Sequence, residues 1–92
     1  MSTSNITTDH NEIKRWVEER GGFPAAVKRT DGEDDLGILR IDFPGYRGER
    51  SLERVEWEDW FDTFETKELA FLHQDHTADG AVSRFNKIVS RR

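Results

Sequence analysis

A helix with both of its ends marked is the feature that most constrains the fold of this chain. Its apolar residues, Ile13, Trp16 and Val17, have the i, i+3, i+4 spacing of a single helix face. Asp9 is placed to accept hydrogen bonds from the first-turn amides, and Glu12, three residues later, completes the pattern of a capping box. The segment therefore predicts a short amphipathic helix that begins after Asp9.

The end of this helix and the start of a hairpin follow at once. Gly21-Gly22 supplies a left-handed residue of the kind that ends helices, and Pro24 prevents the helix from resuming. Residues 25–29 and 36–43 then have strand composition on either side of the acidic turn TDGEDD, which predicts a hairpin. In the second strand the apolar residues 39, 41 and 43 alternate with Arg40 and Asp42, so that one face is apolar.

A second helix is predicted at about residues 57–66. Its face consists of four aromatic residues at helical spacing, Trp57, Trp60, Phe61 and Phe64. We expect Trp57, Phe61 and Phe64 to pack in the core, and Trp60 and Tyr46 to be partly exposed. Leu52 and Val55 before this helix indicate a short strand or an irregular lead-in, and LAFLHQ after it, residues 69–74, indicates a strand.

The C-terminal stretch, residues 81–91, fits two structures. Alternation of Phe85, Lys87 and Val89 indicates a strand, whereas Ala81, Phe85 and Ile88 fit a helix. The turn signal Asp79-Gly80 favours a strand paired with residues 69–74.

These elements together predict the α+β class, with the order α-β-β-β-α-β-β. Two amphipathic helices would pack on one face of a mostly antiparallel sheet of four to five short strands. We expect one compact domain over residues 7–91, after a flexible N-terminal segment at residues 1–6.

Composition excludes several classes of function. The 92 residues contain no cysteine, which removes disulfides, thiolate metal sites and cysteine nucleophiles. No apolar run approaches the roughly 18 residues of a membrane span, and the N-terminus lacks the regions of a signal peptide. We therefore expect a cytoplasmic protein without membrane association.

The charge balance disfavours a general nucleic-acid binder. Nineteen acidic and 14 basic residues give a net charge of −5, whereas phosphate-backbone binding depends on clustered Lys and Arg. The basic residues nevertheless gather near the C-terminus. The candidate binding residues are the loop and helix residues Tyr46, Arg47 and Trp60, since aromatic and Arg side chains anchor many interfaces, together with Arg84 and Lys87.

The stretch LAFLHQDHTADG contains the candidate metal ligands. Two imidazoles and a carboxylate, here His73, Asp75 and His76, form a familiar ligand set for zinc or non-haem iron. The same residue types are typical of a strand end that enters a polar turn. Because the spacing matches no established metal motif, the strand end is the favoured interpretation and no cofactor is expected.

No arrangement of residues predicts catalysis. The chain has no Gly-x-Ser-x-Gly elbow around its serines, and its glycines do not form a phosphate-binding pattern. With 19 acidic residues, no single pair of carboxylates is diagnostic. We therefore expect that the protein is not an enzyme.

A resemblance covers the chain from about Thr7 to Arg91. The segments TTDHNEIKRWVEERGGFPAAVKRT, GILRIDFPGY, WEDWFDTFE and LAFLHQD…SRFNKIVSR resemble a family of small bacterial proteins of unknown function. Members of that family sometimes carry the name 1,4-alpha-glucan branching enzyme. The resemblance implies a shared compact fold and no catalytic residues, because a branching enzyme requires a large barrel that 92 residues do not provide.

The leading functional hypothesis is a small non-catalytic binding or regulatory module that acts through an unidentified protein partner. Two alternatives stay open. One is a small metal-binding protein that uses the turn at His73, Asp75 and His76. The other is an accessory domain that binds a glucan or, less in keeping with the acidic charge, a nucleic acid.

Overall fold

The computed structural model describes residues 4–27, 37–45 and 52–91. These parts of the chain contain two helices and six strands. The α+β class is thereby confirmed. In chain order the elements are β1 (Ser4–Thr7), α1 (His10–Glu19), β2 (Phe23–Val27), β3 (Ile38–Asp42), β4 (Leu52–Arg54), α2 (Trp57–Thr66), β5 (Leu69–Gln74) and β6 (Asn86–Ser90).

The strands form two separate antiparallel sheets. The terminal sheet has the order β1-β5-β6, and the central sheet has the order β3-β2-β4. This arrangement differs from the single sheet of four to five strands that we predicted. The edge strands β3 and β6 lie next to each other, but no ladder joins them in the described residues. Side chains from both sheets and both helices fill one core instead.

Strand β1 was not predicted from the sequence. Its residues Asn5 and Thr7 lie opposite His73 and Phe71 of β5, so residues 4–7 belong to the terminal sheet. The segment SNIT carries too little apolar alternation to indicate a strand, because Ile6 is its only large apolar residue and is 66% exposed. Strand β1 is therefore held by backbone pairing with β5 and not by the burial of apolar side chains.

The start of α1 agrees with the sequence in one respect and differs in another. The Asp9 side chain accepts hydrogen bonds from the backbone amides of Asn11 and Glu12, as a cap does. Glu12 does not complete a capping box. Its Oε2 accepts a hydrogen bond of 2.9 Å from the hydroxyl of Thr7, whose Oγ1 in turn accepts from the Asp9 amide. The carboxylate therefore ties α1 to the end of β1.

The end of α1 is formed as predicted. Gly21 has φ +70°, and the amide of Gly22 donates to the carbonyl of Val17 at 3.0 Å, so the last turn closes in a left-handed residue. Gly22 is buried, and a Cβ at that position would lie 2.8 Å from the ring of Phe43. Hence the position of Gly22, directly after α1, has no space for a side chain.

The hairpin strands β2 and β3 pair as expected, with Ala26 opposite Leu39. Leu39, Ile41 and Phe43 are buried, whereas Arg40 and Asp42 on the other face are partly exposed. This alternation confirms the predicted faces of β3. The predicted acidic turn lies outside the described residues.

Helix α2 has the predicted bounds, but its exposed residue was assigned wrongly. Trp60 is 0% exposed, stacks on Phe64 with ring centroids 5.3 Å apart, and donates from Nε1 to the carbonyl of Arg40 at 3.1 Å. Trp57 and Phe61 are the partly buried members of the face. The difference follows from the packing of α2 on β2, β3 and β5, because Trp60 lies on the side of the helix that faces β3.

The C-terminal segment is a strand, which confirms the favoured interpretation. Strand β6 pairs with β5 with Ser90 opposite Leu69, and it begins at residue 86 rather than 81. Before it, Gly80 at φ +89° lies in a turn, and a single β-bridge joins His76 to Val82. Residues 75–85 therefore form an extended turn at the end of the terminal sheet.

The core lies between the two sheets and the helices, and α1 contributes Ile13, Trp16 and Val17 to it as predicted. The other buried members are Ala26, Leu39, Ile41, Phe43, Trp60, Phe64 and Phe71. In the parts of the chain that are described, neither helix has the length and apolar character needed to cross a membrane.

Candidate functional site

An open groove of about 840 Å³ lies at the surface of the described structure. One part of its lining comes from the end of β3 and the start of β4, at residues 40, 41, 43–45 and 52. The other part is residues 84–88, at the start of β6. The groove thus lies where the two sheets approach each other, and it is called the basic groove below.

The charge of this groove is opposite to that of the whole chain. Arg40, Arg84 and Lys87 line it, and the described lining residues include no Asp or Glu. Among the described residues, neither Arg84 nor Lys87 has a carboxylate partner, although the chain carries a net charge of −5. Two cations that pair with no carboxylate of the described residues attract a negatively charged ligand or partner.

Apolar surface accompanies these cations. The guanidinium of Arg84 lies 5.3 Å from the ring centroid of Phe43, within the range of a cation–π contact. Phe85 is 49% exposed, and Ile88 and Leu52 are half-buried along the same groove. The groove therefore offers both charge and apolar area to a ligand.

The sequence-predicted binding residues fall into three groups. Arg84 and Lys87 are brought together in the basic groove. Trp60 is buried under the sheets, so its indole offers no binding surface. Tyr46 and Arg47 lie outside the described residues. Arg40 was missed because alternation in β3 marked it only as a residue of the outward face, and the proximity of β6 is a tertiary relationship.

A second pocket, of about 640 Å³, lies between α1 and the end of β5, and is called the histidine pocket below. From the α1 side it is lined by residues 12, 15, 16, 19 and 20, and from the other side by residues 73, 75, 76 and 82. All three of the predicted metal ligands line this pocket.

The structure places these three residues at the end of a strand, as the favoured interpretation had it. His73 is the buried one, 4% exposed, with its Nδ1 3.2 Å from Oδ1 of Asp75. His76 is exposed and takes part in the β-bridge to Val82. Throughout residues 4–27, 37–45 and 52–91, no three His, Asp or Glu side chains lie close enough to hold one metal ion. The proposed set of His73, Asp75 and His76 is thus not assembled.

Arg20 also lines the histidine pocket, and no pattern in the sequence predicted a role for it. Its guanidinium donates hydrogen bonds to the backbone carbonyls of Trp16, Asp75 and Ser83. Burial lowers the pKa of Arg20 from its ordinary value, while the charges of Asp75 and Glu19 oppose that change. The side chain is a structural tie between α1 and the turn before β6.

Comparison with known proteins found no matching family model, no matching curated protein and no matching solved structure. The resemblance described above accordingly stays a prediction.

Proposed function

We propose that this protein is a small non-catalytic binding module that takes an acidic segment of a partner protein into the basic groove. The observation that carries the proposal is the pairing of Arg84 and Lys87, both without carboxylate partners among the described residues, in a groove of an acidic chain. Complementary charge sets the orientation of a partner and raises its rate of association.

The apolar lining indicates what accompanies the acidic groups. An exposed Phe85 beside Arg84 is the combination of residue types that anchors many protein interfaces. A segment with alternating carboxylates and aliphatic side chains would satisfy both the cations and the apolar surface. A polyphosphate backbone would meet the cations alone, and the net charge of −5 would oppose its approach.

The aromatic residues support a protein partner over a glucan. Sugar binding uses exposed aromatic faces, and among the three tryptophans Trp16 and Trp60 are buried. Trp57 is half-buried, with its ring stacked on Phe61 at 5.1 Å. No indole is thus presented as a flat platform beside the basic groove.

The test is binding of a fluorescent peptide of alternating Glu and Leu, measured by anisotropy, with a Lys and Leu peptide of equal length for comparison. We expect saturable binding of the acidic peptide, weakened by about tenfold or more in Arg84→Glu/Lys87→Glu, because each change replaces an attraction with a repulsion. Lys14→Glu/Arg15→Glu on α1 changes the net charge by the same amount and is the matched control.

Equal weakening in the two double variants would show that the peptide responds only to net charge. Absence of binding by the wild-type protein at millimolar peptide would contradict the proposal directly. A single-stranded DNA that binds more tightly than the acidic peptide would favour the nucleic-acid alternative.

A further inference from the structure

Strand β6 has one edge that no other strand of the described chain pairs with, and it is called the open edge below. The strand pairs with β5 on one side and is the last strand of its sheet. The basic groove lies beside the open edge, and its lining includes the consecutive residues 84–88. Because successive side chains of a strand point to opposite faces, a cavity lined by consecutive residues runs along the edge of the strand and not over one face.

The backbone hydrogen bonds between β5 and β6 show which residues face the open edge. The amide of Gln74 donates to the carbonyl of Phe85 at 3.1 Å, and the amide of Arg91, an even number of residues further on, also bonds across this pair of strands. Hydrogen-bonded and non-hydrogen-bonded pairs alternate along an antiparallel ladder. Every second residue from Phe85 onward therefore bonds to β5. The backbone N–H and C=O groups of Asn86 and Ile88 point away from β5, toward the groove.

The two walls of the groove place cations and apolar side chains on opposite sides of this edge. Lys87 of β6 and Arg40 of β3 lie on the faces that are turned away from the core. Ile88 and Ile41 lie on the faces that are turned toward it. A strand between these walls would present alternate side chains to the two environments. Carboxylates at every second position, with aliphatic side chains between them, match this arrangement.

We propose that the acidic segment binds as an extended strand that pairs with the open edge of β6. This binding mode rests on the proposed function, since it requires an acidic segment in the basic groove. A strand added to a sheet edge gains affinity from main-chain hydrogen bonds and specificity from its alternate side chains. The groove therefore recognises the spacing of the carboxylates as well as their charge.

The charges beside the open edge favour an acidic strand over a second copy of this chain. Unpaired strand edges promote aggregation, and natural proteins often place lysine on them. Lys87 lies on β6 itself, and Arg84 lies just before it. These cations repel the β6 strand of another copy, which carries the same charges, and they attract a strand that carries carboxylates.

The first test is amide hydrogen exchange of the full chain, measured by NMR with and without the peptide of alternating Glu and Leu. At saturating peptide, we expect the amides of Asn86 and Ile88 to exchange at least about tenfold more slowly, because each acquires a hydrogen-bonded partner. The amide of Ile6 is the matched control. By the same alternation it points away from β5, on the opposite edge of the same sheet, and its exchange should not change.

The second test uses two N-methylated forms of the same peptide, methylated at every Leu amide or at every Glu amide. In an extended strand, the Leu N–H groups point to one edge and the Glu N–H groups point to the other. Methylation of one set alone should therefore weaken binding by about tenfold or more. The Leu set is the sensitive one if the added strand is antiparallel to β6, and the Glu set is the sensitive one if it is parallel.

Equal losses for the two methylated peptides would overturn the added strand, and so would exchange at Asn86 and Ile88 that the peptide does not slow. The proposed function would survive either result, provided that the unmethylated peptide binds and that Arg84→Glu/Lys87→Glu weakens it. Slower exchange at Ile6 without any change at Ile88 would place the added strand on the wrong edge and contradict its position. Absence of binding by the unmethylated peptide would overturn both proposals.

Discussion

The guanidinium of Arg20 lies over the indole of Trp16, 4.2 Å from the ring centroid, and its Nη1 donates to the Trp16 carbonyl at 3.0 Å. The same side chain donates to the carbonyls of Asp75 and Ser83, in the turn before β6. Arg20 thereby joins the end of α1 to a segment more than fifty residues later in the chain.

Substitution of Arg20 by Met should destabilise the protein by roughly 2–3 kcal/mol, because the apolar stem is kept while three charged hydrogen bonds are lost. The measurement is urea denaturation followed by circular dichroism. Arg15→Met, on the exposed side of α1, is the matched control and should change the free energy of unfolding by less than about 0.5 kcal/mol. Equal losses in the two variants would contradict the assigned role of Arg20.

The two helices differ at their N-termini, and this difference is measurable. Asp9 caps α1 through its side chain, whereas Glu56 at the corresponding position of α2 makes no side-chain capping hydrogen bond. Asp9→Ala should therefore cost about 1 kcal/mol of unfolding free energy, and Glu56→Ala should cost much less. Both values come from the same urea titrations. A loss at Glu56 as large as that at Asp9 would show that helix dipole effects outweigh the hydrogen bonds.

Gly22→Ala should destabilise the protein by about 1–3 kcal/mol for steric reasons alone. The added Cβ would meet Cε1 of Phe43 at 2.8 Å and Cγ1 of Val17 at 3.0 Å, and the backbone of Gly22 does not need a positive φ. A double-mutant cycle with Phe43→Leu tests the cause. The cost of Gly22→Ala should fall in the Phe43→Leu background, and an unchanged cost would place the strain elsewhere.

Glu65 contributes a pH-dependent part of the stability. Its carboxylate accepts hydrogen bonds from Arg91 at 2.8 Å and faces Nε2 of His10 at 2.7 Å, and these contacts, Arg91 first, lower its pKa below the ordinary 4.5. A depressed folded-state pKa means that the contribution is present above pH 4.5 and is lost as the pH falls through the folded value. Because the side chain is nearly half exposed, we expect less than about 1 kcal/mol.

The check is the difference in unfolding free energy between wild type and Glu65→Gln, followed from about pH 7 to about pH 2. The difference should shrink toward acid pH. Arg91→Met should reduce the same pH dependence, since it removes the main cause of the lowered pKa. A difference that stays constant over this range would rule out the ion pair as its origin.

The sequence predicted the elements of this fold better than their assembly. Helices α1 and α2 and strand β5 were recognised because apolar spacing and end signals are local properties of the chain. Strand β1 was not recognised, because SNIT has no apolar alternation and is held by pairing with β5. The division into two sheets was also missed, since the arrangement of edge strands depends on contacts between distant segments.

The candidate site was also predicted only in part, because the sequence shows neighbours along the chain and not contacts between distant segments. Arg84 and Lys87 were recognised as part of a basic cluster, but the approach of Arg40 from β3 is visible only in the structure. Trp60 was predicted to be partly exposed because helical spacing does not show which part of an aromatic face the sheets cover. Likewise, nothing in the sequence placed Glu12 beside His73 rather than at the cap of its own helix.

The order of the strands also bears on how the chain folds during synthesis. Every strand of the central sheet lies between Phe23 and Arg54, whereas the terminal sheet joins β1 to β6, at opposite ends of the described chain. Because synthesis proceeds from the N-terminus, all three strands of the central sheet leave the ribosome before β5 and β6 do. Strand β1 can pair only after its partner β5 has been synthesised, and the third strand, β6, follows β5. The basic groove, with one wall from each sheet, is completed only after β6 has been synthesised.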